Sequence, residues 1–477
     1  SAFVRRRLGW RSAQHFQRTW SCRRLRLAFD RMGTEYDILL CGVTGFAGKL
    51  AAEHLLVKSY PIKWACCARN EAKAAAAVKT IADRVGATAL PPIEVACLIS
   101  DEAKLRAVVK KTKVVLTCAG PFEKYSQTLV KVCAEEGVHY ADITGESDFF
   151  RKMIAEHDAT AQKTGAKIVI HCGNDAIPWD LTVFEMSKLA RSKGAELAEA
   201  WTYGEFGATA AASGGTLTTA IYQLGKRRGG AKPDFDPLLK RPDGSKSESL
   251  TKITNPKQDV YCDEFAQYGG PWIMGPVMAN CVRRSNALLG YSASLTYADV
   301  MLRGHPTWAQ WAGAKANEAL VGAAVMAPRV FARFLPAPGE GPSREDMDAG
   351  YLKLHGRGRM VERDGKETPL KSTYHFPLDT GYLMTAQMLV ETYAWCCSRR
   401  PRRARRRPHA RRRPRQRHRR AARQGARRKV RAERGVRESE TVCVRSVLAV
   451  AFDNCGRTLC VAIFDTSLSL LGEKIKK

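Results

Sequence analysis

Three observations predict an α/β fold, with a Rossmann-type doubly wound parallel sheet followed by a second α+β domain. From Tyr36 to Asp180, apolar runs of strand length alternate with helix-length periodic segments, six times in roughly 140 residues. The first strand-to-helix turn places Gly42, Gly45 and Gly48 three residues apart. Beyond Asp180 the alternation lapses into mixed apolar, aromatic and turn residues, with an Asp364-Gly365 hairpin signal near the end. The expected organisation is a leader over 1–33, a dinucleotide-binding domain over 34–180 and a substrate or dimerisation domain over 181–397. An Arg-rich disordered segment over 398–440 and a hairpin-like tail over 441–477 complete it.

The first strand is expected at Ile38–Cys41, running into the helix that begins near Phe46. A glycine at the strand end permits the tight turn, a second allows a pyrophosphate to approach, and a third lets helix and strand pack closely. The N-terminus of that helix then offers N–H groups and a positive dipole end to the anion. Gly42, Thr44, Gly45, Phe46 and Gly48 are therefore the candidate phosphate-binding residues. The second strand, Ile62–Ala68, ends at Arg69 with Lys73 beyond it. An acidic residue there grips the ribose hydroxyl of NAD, whereas a basic one accommodates the 2′-phosphate of NADP. Arg69 favours NADP(H) over NAD(H).

A helix over Glu71–Val85, a strand over Ile93–Cys97 and a helix over Asp101–Lys110, with Asp101 as its N-cap, follow in order. The fourth strand, Val114–Cys118, delivers Ala119, Gly120 and Pro121, which should border the nicotinamide because ligands sit beyond strand carboxyl ends. Helices over Thr128–Glu136 and Phe150–Lys163 flank a fifth strand over His139–Ile143, and a sixth strand spans Lys167–His171. In the second half, a strand over Trp201–Gly207, a helix over Thr216–Lys226 and a loop over Pro233–Lys257 are expected. Further helices are placed over Thr307–Met326 and Thr380–Cys396, and a hairpin over Arg357–Asp364 and Lys371–Pro377. Trp179 and Trp201 read as core or interface residues.

The net charge of +31 is concentrated in two segments. Residues 1–31 hold nine Arg against Asp30, and residues 399–437 hold twenty Arg and Lys429 against Glu433, which leaves +3 for the remainder. The folded body thus has no nucleic-acid signature, and the Arg-rich run lacks interleaved aromatics for base stacking. The first segment has the composition of an organellar transit peptide, which would imply a mitochondrial address. The alternative is an untranslated leader before Met32, with a cytoplasmic or membrane-peripheral protein. None of the fifteen cysteines forms a C-x-x-C pair or a His/Cys cluster with zinc spacing, so no metal is expected. Residues 446–471 alternate about a turn at Asp453–Gly456 and resemble two strands of a WD-repeat blade.

The series GVTGFAGKL, CARN, CAGPFEKYSQTLVKVCAEEGVHYADITGE and HCGNDAIPWD resembles the saccharopine dehydrogenase-like oxidoreductases, relatives of the trans-acting enoyl reductases. SGGTLTTA, VRRSNALLGY, PGEGP and TGYLMTAQMLVET are similar to the same family, so the resemblance spans residues 34–395 in order. It implies a nicotinamide cofactor and a small-molecule, lipid-linked substrate of lipid or glycolipid metabolism. It also implies peripheral membrane or lipid-droplet contact in some members, and a homodimer is an open possibility. Ser126 stands where the family usually has Gly, and Asn174 and Trp179 replace the more usual Phe and Ser.

Hydride transfer needs a proton donor and a site for developing negative charge, supplied from strand-end loops. Tyr125, Asp142, Glu146 and Asp175 are the candidate catalytic residues, with His171 beside Asp175 as donor or orienter. Each has a plainer alternative: packing for Tyr125, capping or loop hydrogen bonds for Asp142 and Glu146, and a helix cap for Asp175. The expected function is an NADP(H)-dependent oxidoreductase reducing C=C or C=O in a lipid-linked substrate. The alternatives are a non-catalytic cofactor-binding scaffold and, through the Arg-rich run, an RNA-associated protein.

Overall fold

The computed structural model describes residues 33–207, 213–227 and 250–304, parts of 307–323, residues 336–398 apart from 338, and 447–452 with 458–464. The expected leader up to Met32, the Arg-rich segment from 399 and the turn at Asp453–Gly456 lie outside the described residues, as does half of the helix expected over Thr307–Met326.

The first domain is a six-stranded parallel sheet, β1 (Tyr36–Cys41), β2 (Trp64–Ala68), β3 (Ile93–Val95), β4 (Thr112–Thr117), β5 (His139–Asp142) and β6 (Ile168–Val169). Its order is β3-β2-β1-β4-β5-β6. This is the doubly wound arrangement, with its switch point between β1 and β4. The central strands are apolar on both faces because helices cover both. Ile38, Leu40, Val114 and Leu116 face one core, and Leu39, Cys41, Val115 and Tyr140 face the other.

Helices α1 (Phe46–Lys58), α2 (Glu71–Val85), α3 (Glu102–Val109), α4 (Phe122–Tyr125), α5 (Gln127–Glu136), α6 (Ser147–Thr164) and α7 (Ile177–Ser192) connect and follow these strands. Their starts are chemically marked. Asn70 accepts from Lys73 N at 2.9 Å to cap α2, and Asp101 accepts from Lys104 N at 2.8 Å to cap α3. Four helical residues, Phe122–Tyr125, intervene where only a turn was expected after Pro121.

The second sheet holds β7 (Glu196–Phe206), β8 (Thr251–Ile253), β9 (Val260–Cys262), β10 (Gln267–Gly270), β11 (Leu295–Leu302), β12 (Leu352–Val361) and β13 (Glu367–Phe376). Its order is β13-β12-β7-β11-β10-β9, with β8 also on β11. β8 corrects the expectation of unbroken loop through Lys257: three polar-flanked residues carry no period of their own and are strand because β11 pairs with them. β7 begins five residues earlier than expected, since Glu196 and Leu197 pair with Val361 and Met360. Helices α8 (Gly214–Arg227), α9 (Gly275–Leu289) and α10 (Arg344–Ala349) belong to this half. Trp179 of α7 is fully buried, and a side chain at Gly204 would run into its ring.

The last helix of the main body, α11 (Leu383–Ser398), returns to the first domain. Leu383, Met384, Leu389 and Val390 share a core with Ile38, Leu40, Leu50 and Leu116. At the tail, β14 (Val447–Phe452) and β15 (Thr458–Phe464) form one antiparallel pair. A propeller blade has four such strands, and two are seen among the described residues.

Candidate active site

A cavity of about 1800 Å³ runs along the carboxyl ends of the first sheet and under the second domain. Its first wall is the turn after β1. Gly42 has φ +90°, and a Cβ there would meet Ala119 N at 2.9 Å, so only glycine lets this turn lie against the β4 exit. A Cβ on Gly48 would lie 2.0 Å from Gly42 O, which makes Gly48 the close-packing position between helix and turn. Gly45 takes the N-cap position of α1, no side chain caps the helix, and Gly42 through Ala47 all border the cavity. The helix end is therefore open to an anion.

Arg69 and Lys73 stand exposed on the wall beyond β2, and Ala119, Gly120 and Pro121 line the wall beyond β4. A narrow glycine turn, an open helix end and two cations beyond β2 fit a dinucleotide carrying an additional phosphate.

The four candidate catalytic residues separate once burial is known. Asp142 is fully buried and does not reach the cavity. Its carboxylate accepts from Tyr140 OH at 2.7 Å, Thr144 N at 3.1 Å and His171 N at 3.2 Å, tying the exits of β5 and β6 together. Burial pushes its pKa up to about 7 against those bonds. Glu146 accepts from Phe122 N at 2.7 Å and Glu123 N at 3.0 Å, so it caps α4 from the next loop and also lies behind the wall. Burial raises its pKa, and the backbone bonds oppose the rise. Neither carboxylate lines the cavity, and both make the capping or loop hydrogen bonds that are the plainer alternative for them.

Tyr125, at the end of α4, and Asp175, before α7, do line the cavity. Asp175 is not the cap of α7: Ala176 holds that position without a side-chain bond. The Asp175 carboxylate accepts from Asn174 Nδ2 at 3.3 Å, and burial pushes its pKa up to about 6. His171 is buried beside it with φ +66°. Its Nδ1 bonds the carbonyl of Thr144, which can only accept, so the ring proton sits on Nδ1. Burial lowers its pKa to about 4, so the ring is neutral at pH 7 and donates nothing from Nε2.

The second domain supplies walls that motif reasoning missed. Ser213, Thr216 and Thr219 of the α8 start, Trp272 and Met274 before α9, and Tyr382 before α11 all face the cavity. Tyr382 OH accepts from Ser213 N at 2.7 Å and meets Thr216 Oγ1 at 2.9 Å, while its ring lies edge-on to Phe46, centroids 5.3 Å apart. The paired glycines of SGGT were a visible signal for the α8 start. Trp272 and Met274 carried none.

The saccharopine dehydrogenase NADP binding domain family matches residues 38–169. A trans-acting enoyl reductase of Mycobacterium ulcerans (strain Agy99) is 31% identical over 339 residues, covering 67% of this chain and 80% of that protein. The chain belongs to the saccharopine dehydrogenase-like oxidoreductases. Another member, a trans-acting enoyl reductase of Mycobacterium tuberculosis (strain ATCC 25618 / H37Rv), is 30% identical over 352 residues, 66% of this chain and 79% of its own length. The solved saccharopine dehydrogenase (L-Glu forming) of Saccharomyces cerevisiae aligns over 76% of this chain and 89% of its own, at 13% identity and TM-score 0.38. As a saccharopine dehydrogenase-like oxidoreductase the chain binds NADP(H), with the phosphate turn at Gly42–Phe46 falling inside the matched domain.

Proposed function

We propose that this oxidoreductase is an NADPH-dependent enoyl reductase that saturates a C=C conjugated to an acyl carbonyl in a lipid-linked substrate. The observation that carries the reading is the place of Asp175, a carboxyl group on the cavity wall whose pKa burial raises to about 6. The relatives named trans-acting enoyl reductases supply the reaction class.

When bound, reduced nicotinamide supplies a hydride for the β-carbon of such a substrate. The chain's own residues do the rest. Asp175 gives a proton to the α-carbon as the enolate collapses, and Tyr125 holds the acyl oxygen through its phenol. Trp272, Met274 and Val277 give the acyl chain an apolar wall and keep water from the reacting carbons.

The test is loss of NADPH absorbance on mixing with α,β-unsaturated and β-keto acyl thioesters of increasing chain length. Turnover confined to the unsaturated series supports the reading. Turnover of the keto series alone replaces it with carbonyl reduction. NADPH binding without turnover of any substrate supports the scaffold alternative instead.

A further inference from the structure

Two buried acceptor atoms on one turn of the cavity wall have no partner among the described residues. His171 Nε2 and Asn174 Oδ1 both lack a hydrogen bond, in residues that are 2% and 6% exposed. The turn His171–Asn174 leads from β6 into α7 and is closed by Gly173 N donating to His171 O at 2.9 Å. Both residues border the cavity.

Neither atom is free to become a donor. The Thr144 carbonyl holds the imidazole proton on Nδ1, leaving a lone pair at Nε2. Asn174 spends Nδ2 on Asp175 Oδ1 at 3.3 Å, which leaves its oxygen as the unmatched end. The other imidazole tautomer would set the Thr144 carbonyl against a lone pair, and turning the Asn174 amide over would set its oxygen against the Asp175 carboxylate, ionised at pH 7. His171 also sits in left-handed backbone that a non-glycine residue adopts at a cost, held there by its N–H bond to Asp142. A buried acceptor left unmatched costs about 1–3 kcal/mol, so this turn is built for a ligand group bearing N–H donors.

We propose that His171 Nε2 and Asn174 Oδ1 receive the two N–H bonds of the nicotinamide carboxamide and thereby set which face of the ring meets the substrate. The placement follows from the sheet. The phosphate turn is at β1, the 2′-phosphate cations lie beyond β2, and the other half of the dinucleotide therefore runs towards the exits of β4, β5 and β6. A primary amide carries two donors on one nitrogen, which matches two acceptors and no donor. The inference rests on the NADP(H) assignment of this cavity and adds the orientation of its reactive end. His171 and Asn174 act here as positioning residues.

The experiment is calorimetric binding of three oxidised nucleotides to the full chain without substrate: NADP, its thionicotinamide analogue and its 3-acetylpyridine analogue. The thioamide keeps both N–H donors and the acetyl group has neither. The expected result is similar affinity for NADP and the thioamide, with the acetyl analogue weaker by about tenfold or more. Asn174→Leu should weaken NADP and narrow that gap, and His171→Phe should do the same if it folds. Equal binding of all three nucleotides by the wild-type chain overturns the proposal, whatever the variants do. So does an unchanged gap in folded Asn174→Leu. Binding of none of the three overturns the NADP(H) assignment as well, so the two failures are distinguishable.

Discussion

Glu391 of α11 accepts a hydrogen bond from His54 Nε2 of α1 at 2.7 Å, although 337 residues separate them in the chain. Tyr60 OH bonds the same carboxylate. The helix that carries the phosphate turn is thus braced by the last helix of the main body, and the cofactor site depends on both ends of the fold. Burial would raise the Glu391 pKa, but the bonds from His54 and Tyr60 outweigh it and hold it low.

Glu391→Ala should therefore destabilise the protein by about 1–3 kcal/mol, read as a fall in Tm or in the urea midpoint. A carboxylate with a depressed folded pKa contributes stability above its unfolded pKa of about 4.3, lost as pH falls through the folded value. The gap between wild type and variant should accordingly shrink in acid and stay constant from pH 6 to 8.

Gly48→Ala forces a methyl to within 2.0 Å of the Gly42 carbonyl, a backbone atom that cannot swing away. The turn must open. The expected outcome is a stability loss of about 1–3 kcal/mol together with a fall in NADPH affinity, measured by nucleotide fluorescence on the folded protein.

Arg69→Gln removes one of two cations beyond β2 while leaving the glycine turn intact. NADPH affinity should fall about tenfold, and NADH affinity should change little, because the lost contact is to the additional phosphate. Equal losses for both nucleotides would place the phosphate elsewhere.

Asp175→Asn removes the proposed proton source without emptying its space. The expected effect is a fall in kcat of roughly 10²–10⁴ with NADPH Kd held within a few-fold. In the wild type, the protonated form of Asp175 is lost as pH rises through about 6. Turnover limited by proton transfer should therefore decline above that pH, and the decline should be absent from the residual activity of the variant.

Much of this architecture was legible because local chemistry and tertiary structure agree in the first domain. The strand-helix alternation, the glycine turn and the caps at Asn70 and Asp101 each have a short-range physical cause. The second sheet was less legible. Thr251–Ile253 has no period of its own, and its pairing partner, Leu295–Tyr297, lies far along the chain. The site divided in the same way. Positions near strand ends were found, but whether a carboxylate faces the cavity or the protein is a matter of burial, invisible in one chain. That is why Asp142 and Glu146 could not be told from Asp175. Likewise, α11 has an ordinary apolar pattern, and nothing in its residues says that it packs against the first strand.

That packing bears on how the protein is made. The nucleotide-binding sheet leaves the ribosome early, yet the face carrying Ile38, Leu40 and Val114 is closed by Leu383, Leu389 and Val390. Until those residues emerge, more than three hundred positions later, a nascent chain presents an oily strand surface to its surroundings. Truncations ahead of Leu383 should therefore aggregate rather than yield a small nucleotide-binding module.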